Sequence, residues 1–136
     1  MRRTPLDRRL LLVGADNPQV DLDYVVTLVA TLAVRLTSRP PERVKVAVRY
    51  VPDRLLVDRQ SFTAYLQAVE GAPHETLESM ALAILNDLNN EIVPRLVQVN
   101  AAVFNEAESL VEESVWLEDK QPRWSNPVLQ ARLGIG

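Results

Sequence analysis

Arg43-Val44-Lys45-Val46-Ala47-Val48-Arg49-Tyr50-Val51 is the stretch whose reading decides the fold. Val44, Val46, Val48 and Tyr50 alternate with Lys45, Ala47 and Arg49, the period of two that gives a strand one apolar and one polar face. Pro52-Asp53 ends it. On its other side Arg39-Pro40-Pro41-Glu42 sets it off from a second apolar stretch, because consecutive prolines cannot join a ladder. That stretch, Val20 to about Leu36, is rich in β-branched residues and predicts a long strand. Its apolar part, Tyr24 to Val34, lies between Asp23 and Arg35 and is shorter than the ~20 residues a membrane-spanning helix needs.

Working outward, Arg8 to Gly14 predicts a short added strand before the Asn17-Pro18 turn. After Asp53 the period changes. Phe62, Tyr65, Leu66 and Val69 fall on one helical face, closed by Gly71 and Pro73. A second helix is predicted from about His74 to Ile92, with Leu77, Met80, Ala81, Ile84, Leu85, Leu88 and Ile92 as its stripe. Glu75 and Glu78 stand where they complement the helix dipole, and Asn89-Asn90 and Pro94 close it. Val97, Val99, Ala101 and Val103 then alternate as a strand, Asn105 to Glu108 makes a hairpin turn, and Leu110 to Leu117 returns as the last strand.

The order strand, strand, helix, helix, strand, strand predicts an α+β fold, a four-stranded antiparallel sheet with two helices on one face. Residues 1–19 read as an N-terminal arm, 20–118 as the domain and 119–136 as an irregular tail. Two helices cover one face of such a sheet and leave its edges bare, so a homo-oligomer with sheets joined edge to edge is expected.

Composition narrows the chemistry. The chain has 136 residues, 47 % of them hydrophobic, with no cysteine, one histidine and a net charge of −3. One domain is expected, and no disulfide, thiolate metal site or cysteine nucleophile is possible. A single histidine excludes multi-histidine zinc sites. The acidic balance argues against a nucleic-acid partner despite Arg2, Arg3, Arg8 and Arg9. No targeting or membrane segment is evident, and the expected location is the cytoplasm. Trp116 and Trp124 read as packing or subunit contacts. Glu106, Glu108, Glu112, Glu113, Glu118 and Asp119 could hold a hard cation, but a solvated hairpin explains them more simply and no metal is expected.

Several stretches carry a resemblance. They are Val20 to Val26, Val48 to Asp53, Leu56 to Leu66, His74-Glu75 and Ile84 to Leu88, spread over roughly Val20 to Val103. In order and spacing they resemble the tunnelling-fold (T-fold) superfamily, and most of all its queuosine-pathway nitrile reductase, the NADPH-dependent 7-cyano-7-deazaguanine reductase. The resemblance implies a T-fold that oligomerises into a barrel. In the reductase a cysteine attacks the nitrile, NADPH reduces the thioimidate, an aspartate donates the proton and a glutamate opening the second helix holds the base edge.

Residue by residue, that machinery is largely missing here. No cysteine stands in Arg35 to Pro41, and Thr37 or Ser38 would be a poor nucleophile without an adjacent base. Glu42 falls at the aspartate's place as a possible remnant acid, although a charged residue at a strand entrance is the simpler reading. The cofactor segment reads Asp58-Arg59-Gln60-Ser61-Phe62-Thr63 without its lysines, and Glu70-Gly71 and Val103 to Glu106 replace its basic partners. A phosphorylated cofactor needs cations, so no NADPH is expected. His74-Glu75 matches the ligand pair in type, and a carboxylate there can accept two hydrogen bonds from a purine- or pterin-like ring.

Glu75, His74 and Asp58 are therefore the candidate ligand-binding residues. The function expected is an oligomeric ligand-binding or scaffold protein that has lost the reductive chemistry. The alternatives are a related deazapurine enzyme working with altered machinery and a purely structural subunit.

Overall fold

The computed structural model describes residues 8–37, 39–103 and 111–134. Nine elements follow in chain order: β1 Gly14–Asp16, β2 Val26–Val34, β3 Glu42–Val51, β4 Leu55–Val57, α1 Arg59–Gly71, α2 Leu77–Glu91, β5 Leu96–Val103, β6 Glu113–Lys120 and α3 Pro127–Arg132. Four strands make one antiparallel sheet in the order β2-β3-β5-β6, while β1 and β4 pair as a separate ribbon. The β2–β3 register runs unbroken from Val26 opposite Tyr50 to Val34 opposite Glu42.

Alternation along β3 works as the sequence predicts. Val44, Val46, Val48 and Tyr50 are buried, together with Val97, Val99 and Ala101 of β5. Onto them pack Tyr65 and Val69 of α1 and Met80, Ile84 and Leu88 of α2. The other face carries Thr27, Val29, Thr31 and Lys45, all exposed. At one end of that face Val51, Leu96 and Leu133 form a second small cluster with Val25, Trp124 and Leu129.

The ends of the elements depart from the sequence reading for local reasons. Residues 8–13 do not form a strand. Arg8 and Arg9 lie in a helical turn, and the strand starts at Gly14, where a Cβ would lie 2.9 Å from Leu55 of the paired β4. The long strand begins at Val26 rather than Val20. Asn17 accepts the Gln19 amide in a turn, and Arg95 donates to the Val20 and Leu22 carbonyls and to Asp23 at 3.1 Å. Helix α2 begins at Leu77 rather than His74, because Thr76 and Ser79 form a reciprocal capping box. The last strand runs to Lys120. The residues 119–136 are not wholly irregular, since α3 lies there with Asn126 as its cap. The expected Asn105 to Glu108 turn lies outside the described residues.

Two polar clusters pin these parts. Asp87 of α2 accepts from Tyr65 Oη at 2.6 Å and from Arg8 Nε at 2.7 Å. Burial, and then the Asp87 charge, push the Tyr65 phenol far above its ordinary range, so it remains a donor. In the second cluster Asp23 also accepts from Trp124 Nε1 and Asn126 Nδ2, which draws the C-terminal segment onto the loop before β2.

Among the described residues, one is strained. Val93, between α2 and Pro94, has φ 51°, a left-handed conformation that a β-branched side chain adopts poorly. Val93→Gly is expected to gain about 1 kcal/mol, since relief of strain exceeds the entropy cost of glycine. Arg8→Met is expected to lose about 2–3 kcal/mol by leaving a buried carboxylate short of a charged donor. Urea unfolding followed by circular dichroism measures both.

Candidate functional site

The His74-Glu75 pair sits in the short linker between α1 and α2, against the chain leaving β2. The His74 amide donates to the Arg35 carbonyl at 3.1 Å, and the His74 carbonyl accepts the Thr37 amide at 2.9 Å. The two segments thus form a single parallel bridge, Leu36 with His74. The imidazole points inward, only 8 % exposed, with Nε2–H donating to the Val69 carbonyl at the end of α1 at 2.8 Å. That bond fixes the tautomer. Burial, aided by the charge of Arg8, holds the His74 pKa below its ordinary value against the raising effect of the Val69 carbonyl.

Glu75 follows in a different setting. It is exposed, and it makes no hydrogen bond or ion pair among the described residues. Capping falls to Thr76 and Ser79, and Glu78 supplies the acid in the first turn of α2. Glu75 is therefore not needed for either of the helix roles that its position suggests.

Beside the linker lies an open cleft of about 290 Å³, lined by Ala33, Arg35, Pro41, Glu70, Gly71, Ala72 and Pro73. Glu70 is a residue whose part the sequence does not reveal. Its Oε2 accepts the Ala33 amide of β2 at 2.8 Å, 37 positions away. The exposed edge of β2 supplies that donor, and no local pattern signals it.

The other two candidates lie apart from this pair. Glu42 opens β3 and is held by Arg39 at 3.2 Å, and Arg39 reaches Glu113 at 3.0 Å as well. Asp58 is the cap of α1, its carboxylate accepting the Ser61 amide at 2.9 Å. Helix α1 has 13 residues, so Asp58 stands about 20 Å of helix away from His74. The Ser61 hydroxyl accepts the Val13 amide at 3.0 Å and Phe62 is buried, which leaves Arg59, Gln60 and Thr63 exposed in that segment.

The acidic C-terminal residues are dispersed. Glu113 pairs with Arg39, Glu118 accepts from Gln98, and Asp119 accepts from Asn89. Among the described residues no group of three or more histidine, cysteine or acidic side chains could hold a metal. No helix there is long and apolar enough to cross a membrane.

The fold of this chain is similar to that of a solved QueF-like protein. The crystal structure of the archaeosine synthase QueF-Like in the apo form superposes with a TM-score of 0.58, covering 69% of this chain and 91% of that one at 18% sequence identity. The T-fold architecture implied by the sequence resemblance is thus supported at the level of fold. No family model matches the chain, and no curated protein matches it.

A pH effect follows from the buried imidazole. Its folded-state pKa lies below the unfolded value near 6.5, so the unfolded chain takes up the proton first. The contribution of neutral His74 is complete above about pH 6.5 and falls away as the solution is acidified below it. Thermal unfolding between pH 8 and pH 5 should show this loss in the natural protein and a flatter profile in His74→Asn. Equal slopes would show that another group sets the dependence.

Proposed function

We propose that this chain is an oligomeric QueF-like T-fold protein that binds a purine- or pterin-like ring through Glu75 and does not reduce nitriles. The Glu75 carboxylate supports the reading more than any other feature. It is ionisable, exposed and uncommitted, yet it stands on backbone held by the Leu36–His74 bridge. A carboxylate carried on such a backbone can accept the paired N–H donors of such a ring. His74 then acts as the residue that positions Glu75, because its own ring is committed to Val69. Asp58 and Glu42 take structural parts in this reading.

The chemistry of the resembled reductase does not transfer. The thioimidate requires a thiol and the chain has no cysteine. NADPH does not fit the residues present either. Arg59 is the one cation of the segment 58–63, the Ser61 hydroxyl is engaged with Val13, and at the cleft the cation Arg35 is offset by the Glu70 carboxylate. Phosphate recognition needs the opposite charge. The protein is placed in the cytoplasm on the same reading.

Thermal-shift measurements with guanine, deazaguanines and pterins test the proposal. A ligand at a hundredfold excess over its Kd should stabilise by about 2.7 kcal/mol, and Glu75→Gln should remove that shift while the protein stays folded. No shift with any ring compound would favour the purely structural subunit. NADPH oxidation that depends on added 7-cyano-7-deazaguanine should be absent, and turnover by the purified protein would overturn the loss of chemistry.

A further inference from the structure

Strand β2 lies at the edge of the main sheet, with β3 on one side only. Its sequence, Val26 to Val34, contains no charge, no proline and no bulge in its register. A long, uncharged edge of this kind is a template for another strand. The Glu70 contact reveals which residues are presented. The Ala33 amide points away from β3, since Glu70 accepts it at 2.8 Å. Residues two apart in a strand direct their backbone groups to the same side. Thr27, Val29 and Thr31 therefore also face outward, and all three are exposed. Four outward amides stand in a row, and the last is already taken.

We propose that Glu70 sets the limit of pairing with a second copy of this chain. The copy's strand hydrogen-bonds to Thr27, Val29 and Thr31, and the ladder stops before Ala33. This rests on the oligomeric reading above. The occupant is β6 of the other copy, which forms the opposite edge of the same sheet. The two edges match in length, nine residues in β2 and eight in β6, so one head-to-tail contact covers an edge on each copy. Charge suits this pairing too. β6 is guarded by Glu113, Glu118 and Asp119, and the outward residues of β2 offer no like charge to repel it. The stop has a purpose for the site. Ala33 and Glu70 line the cleft beside Pro73, and a strand continuing past Thr31 would run across that opening. Glu70 thereby keeps the mouth of that cleft clear at the junction.

Residue-resolved amide hydrogen exchange at several protein concentrations, paired with light scattering, tests this on the full chain. In the natural protein the Thr27, Val29 and Thr31 amides should slow as concentration rises, while Ala33 stays equally protected throughout. Glu70→Gln keeps a side-chain acceptor and should behave alike. In Glu70→Ala the Ala33 amide of the dilute protein should exchange roughly tenfold faster, the loss expected for one hydrogen bond, and its protection should then depend on concentration. If Ala33 slows with the other three in the natural protein, pairing displaces Glu70, and the proposed limit is wrong while the oligomer stands. If scattering reports an oligomer but none of the four amides responds, the contact lies elsewhere and the proposal falls. A monomer at every concentration overturns the oligomeric reading and this one together.

Discussion

The buried bond from His74 to the Val69 carbonyl is the constraint on which the site depends. At the end of helix α1 the Val69 carbonyl accepts both the Ala72 amide, at 3.3 Å, and the imidazole N–H of His74, at 2.8 Å. Without that acceptor the buried imidazole N–H would cost about 1–3 kcal/mol. Once the ring is in place, the His74 backbone aligns with Leu36, the chain leaving β2 is fixed, and Thr76 is positioned to cap α2. Glu75 is left between two fixed points with its side chain outside. A substitution that keeps only the charge of this pair would lose the arrangement.

The parts of the fold that were legible in the sequence are those set by local period. Val44 to Tyr50 alternate and are buried as a strand face, and the stripes Phe62 to Val69 and Leu77 to Leu88 became α1 and α2. What was illegible depends on contacts between distant residues. Val20 to Val25 have strand-like composition, yet Arg95, more than seventy positions later, holds that stretch in a loop. The ribbon of β1 with β4 and the helix α3 are short elements stabilised by their surroundings rather than by pattern. In the candidate site, the adjacency of His74 and Glu75 was visible at once. The division between them was not, because burial of one and exposure of the other depend on where α1 ends. Asp58 and Glu42 show the reverse case. Both are acids in suggestive places, but Ser61 and Arg39 occupy them.

The sheet has two unlike faces, and the difference extends to its polar groups. The helix side is mainly apolar, and its polar groups include the Arg8, Tyr65 and Asp87 cluster and the His74 imidazole. The other side mixes Arg49, Asn100 and Trp116 with Gln98, whose amide donates to Glu118 and to the Leu133 carbonyl. Because the C-terminal segment covers Gln98, one end of this face is buried while the other remains open to solvent.

The two tryptophans fall on either side of that boundary. Trp124 packs with Leu129 and donates its indole N–H to Asp23. Trp116 stands 38 % exposed with the Arg49 guanidinium 5.2 Å from its ring centre. The protein thus contains a pair of intrinsic fluorophores in different polarity. Emission from Trp124 reports the docked C-terminal segment, and emission from Trp116 follows whatever approaches the open side of the sheet.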